Sequence, residues 1–195
     1  MADLLLASAS PRRQELLEQI GVNYIAKPMD IDESVYSAES PEQYVTRLAK
    51  EKASAGIELS NGLPVLAADT SVVLGDKILG KPSSKEEAIA MLMALSGRTH
   101  YVVTGVALVK DMNGKLLEEC ASVSTKVEFL PLTSKQVEAY VETLEPMDKA
   151  GGYGIQGKAA VFVNRIEGSY SNVVGLPLEQ VGVMCHRFDI PIWSA

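Results

Sequence analysis

The sequence predicts an α/β fold built on a mixed β-sheet with flanking helices. Three observations carry this prediction. Short apolar runs of strand length alternate with capped amphipathic segments, turn signals join some of the strands into hairpins, and helix-length crossovers separate the others. Because no stretch has the composition of an interdomain linker, the 195 residues read as a single domain, 1–195, or at most two tightly packed lobes of it.

Leu4-Leu5-Leu6-Ala7 is a buried-strand run that breaks at Ser8, Ser10 and Pro11 into a helix start. Ser10 is the expected cap, Pro11 suits the first helical position, Leu16, Leu17 and Ile20 share a face, and Gly21 is the stop. Ser40-Pro41-Glu42-Gln43 has the residues of a capping box. In the helix it opens, Tyr44, Leu48 and Ala55 are expected near one face, with Arg47, Lys50 and Lys52 on others. Residues 65–74 read as one buried strand interrupted by Asp69-Thr70, with a hairpin-like return between Gly75 and Gly80. Ser84 starts a helix through Ala88, Met91, Leu92 and Leu95 that Gly97 stops. Residues 99–109 and 116–130 form a predicted hairpin around Asp111-Met112-Asn113-Gly114. Thr133 and Gln136 open a helix carrying Val137, Tyr140, Val141 and Leu144, with Pro146 beyond it. A glycine-rich loop, 151–157, leads to a predicted strand over 159–166. A hydroxyl-rich connection, 168–175, then leads to a last helix from near Pro177 to about Arg187.

Composition excludes several function classes. Apolar residues make up 47% and charged residues 22%, the balance of a folded globular chain and not of a disordered one. A net charge of -7 opposes general coating of nucleic acid but leaves room for a local basic site that binds a small anion. Cys120 and Cys185 are too few for a disulfide framework, which suits a reducing compartment. The amino terminus places Asp3 where a signal peptide needs basic residues, and no stretch approaches a membrane span, so a cytoplasmic protein is expected.

Ser8-Ala9-Ser10-Pro11-Arg12-Arg13 concentrates hydroxyls, helix-start amides and two guanidinium groups behind a strand. A phosphate would be satisfied there by amides, helix dipole and bidentate arginine. A plain helix cap with solvated arginines is the simpler account of the helix start. Two arginines in a first turn, where the dipole disfavours cations, tilt the reading to an anion site. Asp69, inside an apolar strand, requires compensation. It is a metal ligand, a general base, or a strand-end residue that caps a turn. Glu33, in the acidic run Asp30-Ile31-Asp32-Glu33, is either a second hard oxygen ligand or simply solvated. Lys52, Lys81 and Lys149 stand beside special backbone and could each hold a phosphate, although any one alone is more simply a surface lysine. Gly80-Lys81 is not a Walker A loop, because Pro82 stands where magnesium-binding Ser or Thr is required. Gly152-Tyr153-Gly154-Ile155-Gln156-Gly157 spells the dinucleotide fingerprint but lacks its strand-before, helix-after context. Its glycines suit close approach of backbone to a flat ligand, with Gln156 reading a base edge, or simply a tight structural loop.

Six motifs in order, Ala7-Ser8-Ala9-Ser10-Pro11-Arg12-Arg13, Ala68-Asp69-Thr70, Gly80-Lys81-Pro82, Ser96-Gly97-Arg98-Thr99-His100, Lys149-Ala150-Gly151-Gly152-Tyr153-Gly154-Ile155-Gln156-Gly157 and the 168–177 segment, closely resemble the Maf family of nucleoside triphosphate pyrophosphatases. The resemblance covers nearly the whole chain. It implies an elongated α/β fold shared with inosine triphosphate pyrophosphatases, two lobes around a central cleft, and a homodimer. It also implies hydrolysis of a nucleoside triphosphate between its α and β phosphates with a divalent cation, Mg2+ or Mn2+. Asp69 matches the family's acidic catalytic residue and Glu33 its acidic partner, both as metal ligands, with Asp69 serving as base or only as ligand. Ser8, Arg12, Arg13, Lys52 and Lys81 fall on phosphate-contacting positions. The loop at Gln156 is similar to the branch acting on dTTP and UTP and differs from the branch acting on 7-methyl-GTP, with Arg12, Thr70 and Gln156 at positions tied to substrate choice. A nucleotide sensor linked to cell division is the alternative, against which the two carboxylates argue. A nucleic-acid-binding module is disfavoured by charge.

Overall fold

The computed structural model describes residues 2–193. Its strands are β1 (Leu4–Leu6), β2 (Tyr24–Ala26), β3 (Val65–Leu74), β4 (Lys77–Leu79), β5 (Thr99–Asp111), β6 (Leu116–Phe129) and β7 (Val163–Glu167). The helices are α1 (Pro11–Gln19), α2 (Pro41–Gly56), α3 (Lys85–Leu95), α4 (Ser134–Val141), α5 (Tyr170–Val174) and α6 (Leu178–Arg187), with 3-10 turns at Ile57–Leu59, Glu145–Asp148, Ala150–Gly152 and Lys158–Phe162. The sheet is mixed, as expected, in the order β2-β1-β3-β5-β6-β7 with β4 on β3. β1 runs parallel to β2 and β3, whereas β3–β4 and β6–β7 are antiparallel. No helix among the described residues is long and apolar enough to cross a membrane.

The chain divides into two units. The first comprises the chain up to Asp69, Thr104–Val123 and the part from Gly175 onward. Its core is made of small side chains: Ala7, Ala49, Ala53, Ala67 and Ala107 pack with Leu5, Val65 and Val109. That choice brings α2 down onto the strands. A Cβ on Gly105 of β5 would lie 2.3 Å from the Val45 carbonyl oxygen of α2, and one on Gly56 would lie 2.7 Å from Val65. α2 itself starts where the sequence predicts, with the reciprocal Ser40–Gln43 capping box and Pro41 at its first position. Its inward face differs from the expectation: Val45, Leu48, Ala49, Lys52 and Ala53 are buried, while Ala55 is exposed.

The second unit comprises Thr70–Val103 and Ser124–Val174. Its core is larger and more aromatic, with Leu92, Leu95, Phe129, Tyr140, Tyr153 and Phe162 at its centre. α3 and α4 are capped by Ser84 and Thr133, the latter in a full capping box with Gln136. Three expectations are corrected here. Residues 158–162 form a 3-10 turn that buries Ala159 and Phe162, so the strand begins only at Val163. Leu144 lies beyond α4 in a left-handed conformation and is exposed. The 168–175 connection contains the short helix α5.

His100 is fully buried in this core, edge-on to Phe129, with Nε2 2.7 Å from the Tyr153 hydroxyl. Its Nδ1 makes no hydrogen bond among the described residues. Burial therefore pushes its pKa down from 6.5 to about 4. An unfolded chain takes up this proton below pH 6.5 and the native chain resists until about pH 4, so the stabilisation is complete above pH 6.5 and lost as pH falls. Wild type and His100→Leu compared by urea unfolding should hold a constant stability difference above pH 7. The difference should move against the wild type by about 3 kcal/mol between pH 6.5 and 4. Separately, Gly105→Ala should lower stability by about 2 kcal/mol or more, because neither backbone segment at that contact can yield cheaply. An unchanged urea midpoint would show that α2 does not rest on β5 there.

Candidate active site

The first unit gathers Ser8, Arg12, Arg13, Glu33, Lys52 and Asp69. β1 delivers the chain into the turn before α1. Ser10 occupies the cap position with extended backbone but makes no side-chain cap bond, contrary to expectation. The local bonding falls to Ser8, whose Oγ accepts the Ser10 N–H at 3.1 Å and Arg13 Nη1 at 3.2 Å. Arg13 Nε donates to the Gly175 carbonyl at 2.8 Å. Gly175 therefore contributes to this corner through its backbone. Burial lowers the pKa of Arg13, Asp69 and Glu33 oppose that shift, and neighbouring Arg12 adds to it. The two arginines thus share one electrostatic neighbourhood with the two carboxylates, at a first turn that has no acidic residue.

β3 runs without a break through Asp69-Thr70, and Asp69 is buried within it. The compensation that a buried carboxylate requires comes from α2. Lys52 Nζ lies 2.6 Å from Asp69 Oδ1 and 2.7 Å from Glu33 Oε1. Lys52, which the sequence places on another face of α2 from Leu48, is instead buried, its ammonium held between the two carboxylates. Glu33 comes from an irregular segment, and its side chain is half exposed. Tyr44 of α2 donates its hydroxyl to the Glu33 carbonyl at 2.8 Å. Burial first, then the charges of Asp69 and Glu33, push the Tyr44 pKa up to about 12.

Among the described residues no group of three or more His, Cys, Asp and Glu could hold a metal ion. Glu33 and Asp69 nevertheless form a two-carboxylate donor set, brought together on one cation and open to solvent on the Glu33 side. This fits Mg2+ or Mn2+, which take one or two protein carboxylates and fill their remaining positions from water and substrate phosphates.

Thr70, Lys81 and Gln156 belong to the second unit. Thr70 follows Asp69 on β3 and is half buried, while Lys81 and Gln156 are exposed. Lys81 and the glycine-rich loop are tied together by the Gly151 N–H, which donates to the Gly80 carbonyl at 2.9 Å. Lys149 is committed to the Glu145 carbonyl and Asp148 at 2.7 and 2.6 Å. The loop's glycines have packing reasons: a Cβ on Gly157 would meet the Glu145 carboxylate at 2.2 Å, and one on Gly151, at φ +66°, would meet Val72 at 2.8 Å. The Glu145 carboxylate accepts the Lys158 N–H and the Tyr140 hydroxyl, which closes the loop on itself. The loop leads into a 3-10 turn and not a helix, so the dinucleotide reading fails on context. Sequence reasoning missed Tyr44, Arg47 and the Gly175 carbonyl. The i, i+3 spacing of Tyr44 and Arg47 is visible in the sequence, but nothing there shows which loop they meet.

The chain is 49% identical over 194 residues to a protein of Symbiobacterium thermophilum named dTTP/UTP pyrophosphatase, covering 100% of this chain and 98% of that protein. Relatives of the same name from Moorella thermoacetica and Myxococcus xanthus are each 50% identical, covering 100% and 98% of this chain and 99% and 96% of their own lengths. The family model described as Maf-like protein matches residues 3–188, and the chain belongs to the Maf family.

Proposed function

We propose that this protein is a nucleoside triphosphate pyrophosphatase that converts dTTP and UTP to the monophosphate and pyrophosphate. The observation that carries the reading is the Glu33–Lys52–Asp69 bridge, buried at Lys52 and Asp69, beside the Ser8–Arg13 corner, in a chain about half identical over its full length to relatives named for that activity. A pure binder of nucleotides has no use for two carboxylates gathered on one lysine in a partly buried site.

In this reading Asp69 accepts a proton from the attacking water. The water oxygen bonds to the α phosphorus, the bond from that phosphorus to the α–β bridging oxygen breaks, and pyrophosphate leaves with the electron pair. Glu33 and Asp69 would hold Mg2+ or Mn2+, which when bound polarises the phosphate and offsets its charge. Arg12, Arg13, Lys52 and Lys81 stabilise the charge that grows on the departing pyrophosphate, and Ser8 offers its hydroxyl to a phosphate oxygen. Arg12, Thr70 and Gln156 set substrate choice. The Gln156 amide, with an acceptor and two donors, matches the N3–H and carbonyl edge that uracil and thymine share. The free thiols Cys120 and Cys185 support a cytoplasmic setting. Assembly as a homodimer rests on the family resemblance alone, and a role in clearing modified uridine or thymidine nucleotides rests on the substrate assignment.

Purified protein with Mg2+ should release pyrophosphate from UTP and dTTP, release little from purine nucleotides, and release no orthophosphate. Orthophosphate alone would place the attack at the γ phosphorus and contradict the reading, as would nucleotide binding with no product. Chelator should abolish turnover, and added Mg2+ or Mn2+ should restore it. Asp69→Asn should lose about 100- to 10,000-fold in kcat while retaining nucleotide affinity within about threefold. Unchanged turnover in that variant would remove Asp69 from the chemistry.

A further inference from the structure

We propose that Arg47 is a positioning residue of this site, fixing the 33–39 segment so that the Glu33 carboxylate is presented to Lys52 and Asp69. The inference rests on reading Glu33 as part of the reaction centre.

The problem it answers is one of order. Residues 27–40 form no helix or strand, and residues 32–38 are all exposed. Met29 packs against the core ahead of Glu33, but Val35 and Tyr36 are each more than half exposed, so no buried apolar anchor holds residues 33–39. Fixing each such backbone residue costs about 1–2 kcal/mol in conformational entropy. A half-exposed carboxylate on this segment would wander unless polar contacts held its main chain.

Arg47 supplies those contacts from rigid α2. Its Nε and Nη2 grip the Glu39 carboxylate at 2.6 and 2.9 Å, and Nη2 also donates to the Ser34 carbonyl at 2.9 Å. Its Cζ lies 3.8 Å from the centre of the Tyr36 ring, so that ring covers one face of the guanidinium. One side chain therefore engages residues 34, 36 and 39, beginning at the residue after Glu33. Within the segment, the Glu39 carboxylate also accepts the Tyr36 N–H, and Asp32 accepts the Ser34 N–H. Tyr44, three residues before Arg47 and on the same helix stripe, completes the fixation at the Glu33 carbonyl. Lysine cannot reproduce this set, because it has neither the planar fork nor the stacking face. The guanidinium also borders an open pocket of about 650 Å3 lined in part by Tyr36, Glu39, Gln43 and Lys50. The Arg47 and Glu39 side chains are 17% and 9% exposed, so Arg47→Met leaves the Glu39 carboxylate to be solvated through this pocket.

The test compares Arg47→Met, Arg47→Lys, Glu33→Gln and the Arg47→Met/Glu33→Gln double variant, with UTP turnover, thermal midpoint and amide hydrogen exchange as readouts. Arg47→Met should lose about 10- to 100-fold in kcat. Its thermal midpoint should stay near that of the wild type, with faster exchange confined to residues 33–39. Arg47→Lys should fail to rescue. Because Arg47 acts through Glu33, the double variant should turn over no more slowly than Glu33→Gln alone. Normal turnover of Arg47→Met beside an inactive Glu33→Gln would overturn the positioning role while leaving the site reading intact. Multiplied losses in the double variant, or wild-type activity of Arg47→Lys, would also overturn it. Wild-type turnover of Glu33→Gln would remove Glu33 from the centre and this proposal with it. Unchanged exchange in 33–39 would overturn the proposal whatever the substrate. Glu39→Gln, which weakens the same grip from the segment side and leaves α2 untouched, should reproduce the selective loss if Arg47→Met does not fold.

Discussion

A single ammonium group between two carboxylates organises the first unit. Asp69 lies in the interior of β3, where an isolated carboxylate would be costly, and Lys52 meets it at 2.6 Å while also binding Glu33. For that lysine to reach β3, α2 must lie close to the strands. The alanines at 49, 53, 67 and 107, together with Gly105 pressed against the Val45 carbonyl, make that approach possible. Burying Lys52 on the inner face of α2 is thus a consequence of the same packing. Within the bridge itself one positive charge faces two negative ones, so one carboxylate charge is left over. The neighbouring arginines at the start of α1 share the electrostatic neighbourhood of those carboxylates.

Much of the fold was legible because local rules and tertiary packing agree. The Ser40–Gln43 and Thr133–Gln136 boxes, the hairpin return after Gly75 and the turn at Met112–Lys115 all form where short-range chemistry dictates. The failures have a common cause. The strand pattern at 159–162 gave way to a 3-10 turn because Ala159 and Phe162 are drawn into the aromatic core of the second unit. Leu144 is apolar at helical spacing, yet it takes a left-handed turn outside α4, ahead of the turn that contains Pro146.

The candidate site was legible in part for a related reason. Asp69 announced itself, since a carboxylate in an apolar strand demands an explanation within its own sequence neighbourhood. Lys52 showed no such signal: its role depends on the docking of α2 on β3, and its partner is seventeen residues away. The same holds for Arg47, which reads as one more surface arginine until the 33–39 segment is seen folded over it. The glycine-rich loop carries the opposite lesson. Its letters match a dinucleotide motif, but each crowded glycine is explained by Val72, Lys149 or Glu145. The loop's shape is therefore set by its own unit's core and by the buried His100–Tyr153 contact, with Gln156 left at its surface.

The central claim is that Lys52 is what allows Asp69 to remain a buried carboxylate. A double-mutant cycle of Lys52→Met, Asp69→Asn and the pair, read as unfolding free energy in urea at neutral pH, tests it most directly. Removing the ammonium alone should cost about 3–5 kcal/mol, and neutralising Asp69 in that background should recover much of the loss. Additive losses across the cycle would show that the bridge does not hold the centre together.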